Sequence, residues 1–374
     1  MNITIVGGGI FGVTAALELR RRGHGVSLFD DGPIPHPLAE STDISKVVRI
    51  DYGADPDYTA LAERSLDGWR RWNARWRRPL FHETGVTFLA RTPMQPGGFE
   101  HESYALLARR GHALERMDAD AIAQRFPAYR PGALVDGYFN REGGWAESRA
   151  VVVELISEAI AAGVAVGTTR VEDLELLRAE LVIVCAGAWA PRLLPELATS
   201  IVPVGQPVFH LRPRDPSLYT ADRFPVFGAD IATTGYYGFP VNADGIVKIA
   251  NHGTGHPVTR DEQRVVPAAA EDELRAFLAD VIPGLADAPI VDRRLCVYAD
   301  TRDGHFWIAR HPHRTNLVVA TGGSGHAFKF APELGPLIAD LALGVPHPLA
   351  GKFRWRPELA EQTRGDAARA GGAA

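Results

Sequence analysis

The sequence predicts an α/β chain in which a parallel sheet is interleaved with an α+β second domain built on a mainly antiparallel sheet. Three observations predict it. The first is Ile3-Thr4-Ile5-Val6-Gly7-Gly8-Gly9-Ile10-Phe11-Gly12, where β-branched residues run into Gly7-x-Gly9-x-x-Gly12 and an apolar, alanine-rich stretch follows from Val13 to Leu19. The second is a pair of apolar runs, Leu181 to Val184 and Asn316 to Ala320, each meeting glycine shortly after it ends. Strands buried on both faces of a parallel sheet read this way. The third is the change of character after Pro203, where aromatics, Pro and Gly recur at short intervals in alternating patterns, as in antiparallel strands.

The opening stretch reads as strand, tight turn, helix. Gly7 can take the turn's dihedrals, Gly9 lets a pyrophosphate approach the backbone, and Gly12 lets helix and strand pack closely. The helix starts at Ile10 and Phe11, and its free N–H groups and dipole favour phosphate. A second strand, Gly25 to Phe29, ends in Asp30, where a carboxylate would accept bonds from an adenosine ribose 2′-OH. A 2′-phosphate would be repelled there, so the pattern points to FAD or NAD and not NADP. The plainer reading is a glycine turn with an ordinary surface aspartate; strand, helix and acid all falling in place favour the dinucleotide.

The remaining elements follow in order. Gly32 to Pro37 is a Pro-rich turn. Ser41 to Gly53 places small polar residues before Lys46, with Arg49 three residues on; in a helical turn the two cations would share a face. Tyr58 to Trp76 reads as a helix with Leu66, Trp69, Trp72 and Trp76 on its apolar side and arginines outside. Thr84 to Ala90 is a strand, Tyr104 to Leu114 a helix, and Asp118 to Phe126 another, capped by Asp118. Asp136 to Asn140 is a strand, and Gly143 to Ser148 a turn into the helix Arg149 to Ala162. After a short strand at Val164 to Val166, the run from Leu181 carries the buried Cys185 and leads at Gly187 into a helix, Trp189 to Leu194. Val208–Leu211, Tyr236–Pro240 and Ile246–Asn251 are strands, and Glu271 to Val281 is a helix. Cys296–Ala299 and Phe306–Ala309 flank a turn. The apolar strand at 316–320 meets Gly322-Gly323-Ser324-Gly325-His326 and a helix to Leu343. Residues 364–374, rich in Ala and Gly, read as disordered.

Totals exclude several classes. The 374 residues suffice for two domains, and the net charge of −5 provides no field for nucleic acid or an anionic membrane. Two cysteines, Cys185 and Cys296, make neither a disulfide framework nor a zinc set. A chain starting almost directly on a core strand leaves no room for a signal peptide, and no apolar run is long enough to span a membrane, so a cytoplasmic protein is expected. Only Lys46, Lys248, Lys329 and Lys352 are lysines among 40 basic residues. Where arginine serves for generic charge, a lysine points to use of its compact ammonium. Chance retention explains Lys352 well and the others less well.

The glycine fingerprint, Ile183-Val184-Cys185-Ala186-Gly187-Ala188-Trp189, and Gly322-Gly323-Ser324-Gly325-His326-Ala327-Phe328-Lys329 resemble the FAD-dependent D-amino acid oxidase superfamily. Lys46-Val47-Val48-Arg49, Gly245-Ile246-Val247-Lys248-Ile249-Ala250-Asn251-His252 and Leu295-Cys296-Val297-Tyr298 resemble its monomeric sarcosine oxidase group, with N-methyltryptophan, pipecolate, saccharopine and fructosyl amino acid oxidases. The resemblance runs from residue 1 to about 350. It implies a Rossmann-like FAD-binding domain from 1–80, 142–198 and 303–350, a substrate domain from 81–141 and 199–302, and a C-terminal extension at 351–374. It implies oxidation of the Cα–N bond of a small N-substituted amino acid to an imine, with O2 leaving as hydrogen peroxide, by a monomer.

By the same resemblance Cys296 carries FAD covalently, Lys248 activates oxygen, Arg49 and Lys329 hold the substrate carboxylate, and His252 and Tyr298 line the substrate pocket. Lys46 sets a cation against the flavin. Ser41, Thr42, Ser45, Gly187, Trp189, Gly323, Ser324, Gly325, His326 and Lys329 lie where the family holds the cofactor. The physics is consistent: a fixed positive charge favours oxygen reduction, a cationic clamp orients the substrate, and the glycine turn would bring a helix N-terminus to the ring. Each residue has a plainer reading, Cys296 as a buried apolar thiol, Lys248 at a strand edge, His252 and Tyr298 as structural side chains. Lysine at position 46 after Asp-Ile-Ser, and Gly144-Trp145-Ala146, lean toward the fructosyl and saccharopine enzymes; His252 and Tyr298 lean toward sarcosine and pipecolate oxidases. The link from Val171 to Leu181 is shorter than the family's usual hairpin. Two other readings stand beside the oxidase: an amine dehydrogenase using another acceptor, and a flavin-binding subunit without amine chemistry.

Overall fold

The structure, a computed structural model, describes residues 1–259 and 261–357, so the expected disorder of 364–374 lies outside the described residues. The runs near residues 3, 26, 182 and 317 join one six-stranded sheet. Across it lie Trp307–Arg310, Leu317–Thr321, Leu181–Val184, Asn2–Val6, Gly25–Asp30 and Ala165–Thr168. All neighbours are parallel except Trp307–Arg310. Asn2–Val6 has its successor Gly25–Asp30 on one side and the distant Leu181–Val184 on the other, so connections leave it in opposite directions. Such a switch point opens a crevice beyond the strands' carboxyl ends. Between Thr168 and Leu181 there is only a short 3-10 turn, Leu174–Leu176, which agrees with the short link.

Small residues let the helices approach this sheet and each other. A Cβ on Gly12 would lie 1.9 Å from the Gly7 carbonyl oxygen, and one on Gly335 would lie 2.5 Å from the Thr14 carbonyl oxygen. Helix Ile10–Arg21 therefore sits tightly against both the first strand and helix Ala331–Leu343. Helix Pro56–Arg75 starts where the Asp55 carboxylate accepts from the Asp57 and Tyr58 amides, and it buries Trp69 and Trp72 as its periodicity requires.

The second large sheet has nine strands. Ile201–Leu211 is its hub, paired antiparallel with Val247–Asn251, His256–Pro257 and Ile290–Thr301. Tyr236–Gly238, Val226–Ala229, Val86–Ala90, Asp136–Asn140 and Leu114–Asp118 extend it; only Val226–Ala229 against Val86–Ala90 is parallel. Alternation divides the hub's neighbourhood by face. Phe209, Leu211, Val247, Ile249, Leu295 and Val297 join the core under helix Ala268–Val281, whereas Val208, Ala250, Cys296 and Tyr298 share a separate cluster with Tyr237.

Three local expectations are corrected. Lys46–Arg49 is a strand, paired with Gly143–Ala146, and not a helical turn. Two β-branched valines and a pairing partner outweigh the i, i+3 geometry, and an odd spacing in a strand sends Lys46 and Arg49 to opposite faces. Gly143–Ala146 is itself a strand, because its glycines accept the positive φ of 138° and 151° where backbone from residues 48 and 82 crowds in. The helix expected over Tyr104 to Leu114 covers Phe99–Arg109, and Leu114–Asp118 is a strand.

Candidate active site

A cleft of about 980 Å3 opens at the switch point. That is at the upper end of the ~300–1,000 Å3 typical of small-molecule and cofactor sites. Gly7, Gly9, Ile10 and Phe11 form one end, with Asp30 beside them. The Gly7 φ of 109° belongs to glycine, and a Cβ there would meet the Cys185 carbonyl at 2.3 Å. Gly9 differs: a Cβ on it would have only Ser41 Oγ within 4 Å, at 3.5 Å. Its bare backbone faces open space at the start of Ile10–Arg21, a helix whose first turn has no side-chain cap. The Asp30 carboxylate accepts from the Gly8 amide at 2.6 Å and the Gly32 amide at 3.2 Å, which fixes the loop and leaves further lone pairs facing the cleft.

Ser41, Lys46, Gly187, Trp189, Gly323 and Gly325 carry the cleft to its other end. Here Lys46 Nζ lies 3.7 Å from Cys296 Sγ, and Cys296 is buried. Burial works against the Lys46 charge, but Cys296, Asp43, Tyr237 and Glu40 outweigh it and hold the ammonium above its ordinary value. Burial pushes the Glu40 carboxyl up to about 7 against the pull of Lys46. The 322–325 turn presents its own backbone: helix Ala331–Leu343 begins only after the 3-10 turn Phe328–Phe330, so the helix N-terminus expected at the turn is displaced along the chain. Ser324 takes a left-handed φ of 45°, and its hydroxyl accepts from the Thr301 amide at 3.2 Å.

Beyond the cleft the structure gathers Arg49, Tyr52, His326 and Lys329. The Arg49 guanidinium carbon is 4.8 Å from the centre of the Tyr52 ring, and Lys329 Nζ is 5.2 Å from the same ring. Lys329 Nζ also donates to Tyr52 Oη at 2.9 Å and to the His326 carbonyl at 2.8 Å. His326 reaches Tyr52 Oη through Nδ1 and the Gly304 carbonyl through Nε2. Two cations from opposite ends of the chain thus share one aromatic support. His252 and Tyr298 lie together, ring centres 5.8 Å apart, and Tyr298 covers Gly325, where a Cβ would meet its ring at 2.2 Å.

Lys248 is 1 % exposed and donates to Asp43 Oδ2 and the Ser45 carbonyl, each at 2.6 Å. Burial drives its ammonium down, Asp43 restores part of the loss, Lys46 adds to it, and the result is about 8. Burial would raise Asp43, but Lys248, His210, Lys46 and Arg294 hold it well below the usual carboxylate range.

Of the cofactor-facing residues expected from sequence, Gly12, Thr42, Ser45, Cys296, Ser324, His326 and Lys329 do not line the cleft itself. Gly12 serves packing, Cys296 stands behind Lys46, and Ser324 and His326 hold the turn and Tyr52. Sequence reasoning missed Glu40, Asp43, Tyr52 and His210. Asp43 and Tyr52 lay in the stretch already singled out around Lys46; nothing local marked His210.

The residues fit FAD: an open cradle at Gly9, an uncapped helix start, a carboxylate at Asp30, and a cationic far end at Lys46 all match an anionic dinucleotide with a redox ring. Fold and cleft define a dinucleotide-binding flavoenzyme. The chain belongs to the FAD dependent oxidoreductase family (DAO), whose model matches residues 2–341. It is 30% identical over 362 residues to monomeric sarcosine oxidase of Bacillus sp. (strain B-0618), covering 91% of this chain and 92% of that protein. It is 30% identical over 365 residues to N-methyl-L-tryptophan oxidase of Salmonella heidelberg (strain SL476), covering 92% and 95%. The crystal structure of the deglycating enzyme fructosamine oxidase from Aspergillus fumigatus (Amadoriase II) superposes with a TM-score of 0.83 at 28% identity, covering 100% of this chain and 94% of that one.

Proposed function

We propose that this FAD-dependent oxidoreductase oxidises the Cα–N bond of a small N-substituted amino acid, with O2 as acceptor and hydrogen peroxide as product. The observation that carries the reading is the pairing of Arg49 and Lys329 on Tyr52 beside a flavin-sized cleft. A substrate carboxylate would be drawn to two cations. Held there, its α-carbon would be presented to the ring with its neutral amine free. FAD, when bound, takes the electron pair from the amine and gives it to oxygen. His252 and Tyr298 would bound the amine's substituent. Lys248 would supply fixed positive charge on the oxygen side. Cys296, buried next to Lys46, would carry the covalent link to FAD, in a monomer.

The test is anaerobic bleaching of the flavin by a panel of N-methyl, cyclic and fructosyl amino acids, in the parent protein and in Lys329→Met. The parent should bleach with at least one acid and not with the matching decarboxylated amine. Lys329→Met should raise the substrate concentration for half-maximal bleaching at least ten-fold. Equal response to acid and amine would remove the carboxylate clamp.

A further inference from the structure

Beyond the residues assigned above, the antiparallel sheet lines up a second set. His210 sits on the central strand opposite Lys248 on one neighbour and opposite Asp292 on the other. The loop residue Asp43 completes the row. Lys248 Nζ donates to Asp43 Oδ2 at 2.6 Å, and the other carboxylate oxygen, Oδ1, lies 3.2 Å from His210 Nε2. His210 Nδ1 then lies 3.2 Å from Asp292 Oδ2. Side-chain exposure steps from 1% at Lys248 and Asp43 to 8% at His210 and 62% at Asp292. Four titratable groups thus run without a break from a buried ammonium to bulk water. Each middle member uses two different atoms, one inward and one outward.

We propose that Asp292, His210 and Asp43 form a proton relay between solvent and Lys248. The inference rests on the oxygen-side role proposed for Lys248. In the overall reaction an amine and O2 give an imine and H2O2. The amine loses a C–H hydrogen with the electron pair and an N–H hydrogen as a proton. Oxygen gains two electrons and two protons, so one proton must reach it separately. Lys248 donates that proton, leaving a neutral amine. Asp43 takes a proton on Oδ1 from His210 Nε2, turns about its Cβ–Cγ bond, and hands that same proton to the neutral Lys248 amine, which restores the ammonium and the carboxylate together. His210 recovers its proton at Nδ1 from the Asp292 side. The imine proton released to water balances the one taken up.

Asp43 is a carboxylate at rest, because Lys248, His210, Lys46 and Arg294 favour its charge, and it carries the proton only in transit. Its other charged neighbours are Lys46 and Arg294. Arg294, two residues along the strand from Asp292, is engaged by the Thr42 and Ala39 carbonyls and holds the loop in place. The depressed value of Lys248, about 8, lets its ammonium lose and regain a proton near neutrality.

The test reads proton traffic without turnover. With only four lysines in the chain, lysine labelled with 13C and 15N resolves each ammonium by NMR in the oxidised holoenzyme. Exchange of the Lys248 Nζ hydrogens with water should slow at least ten-fold in His210→Gln and about three-fold in Asp292→Asn, while Lys329, buried but off the row, keeps its rate. Unchanged Lys248 exchange in both variants, or slowing shared equally by Lys329, would overturn the relay. Asp292 is exposed, so its variant keeps the test usable where His210→Gln fails to fold. Failure of the oxygen-side role is separate: Lys248→Met would then reoxidise normally whatever the exchange rates show.

Discussion

At the scale of single residues, glycines and lysines divide the work. Gly9 and Gly12 belong to one fingerprint and have opposite reasons to exist. Gly9 has a φ of −74°, which any residue adopts, and open cleft in front of it. Gly9→Val should therefore fold with unchanged far-UV circular dichroism yet purify with several-fold less flavin per chain. Full flavin content would show that the cradle does not hold the cofactor. Lys248 sets a second prediction. Its ammonium titrates near 8, so at lower pH it is charged and at higher pH it is neutral. Reoxidation of the reduced enzyme by oxygen should fall as pH rises through about 8, whereas reduction by substrate should rise with pH as the amine loses its proton. Stopped-flow rates of the two half-reactions separate these slopes. Lys248→Met should abolish the first slope and keep the second; a pH-independent reoxidation in the parent would count against the lysine.

At the scale of elements, helix Phe99–Arg109 carries an acid where water is scarce. Glu100 is buried in its first turn, and burial pushes the carboxyl up to about 7. A folded-state value above the ordinary one means that the stabilising proton is held below about 4.5 in both states and lost from the folded state as pH rises through about 7. Stability attributable to this site should therefore decline between those values. Glu100→Gln should stabilise the protein by on the order of 1–3 kcal/mol at pH 8.5 and leave it unchanged at pH 4. Urea midpoints at the two pH values decide it; destabilisation at pH 8.5 would mean that the carboxylate finds a partner when charged. The strand Lys46–Arg49 shows the same dependence on surroundings. Its cations diverge, Lys46 to the cleft and Arg49 to the Tyr52 ring, because pairing with Gly143–Ala146 makes it extended.

At the scale of the whole molecule, the cleft draws its walls from residues 6 to 328, so a bound cofactor ties distant segments together. A ligand held only by the native state stabilises it by roughly 4 kcal/mol at a thousand-fold excess over Kd. The covalent link proposed at Cys296 would make that gain independent of dilution. In the parent protein the yellow colour should stay with the polypeptide after acid denaturation, and Tm should not depend on added FAD. Cys296→Ser should release the colour, and its Tm should rise with free FAD. Colour retained in Cys296→Ser would place any covalent link elsewhere.

Local pattern alone determined the parallel sheet, the glycine cradle, the acid after the second strand, and the lysines worth singling out. These depend on neighbours within a few residues, where turn sterics and hydrophobic period act directly. Tertiary structure decided what those side chains touch. Lys46 meets Cys296, and Asp43 meets Lys248, where a strand of another sheet and the loop before it pack against this one, and His210 meets Lys248 and Asp292 only because strands far apart in the chain pair in one register. A one-residue slip would turn each of them to the opposite face. Register is fixed by the packing of Phe209, Ile249 and Val297 on the far side of the same strands, which no single stretch of sequence contains.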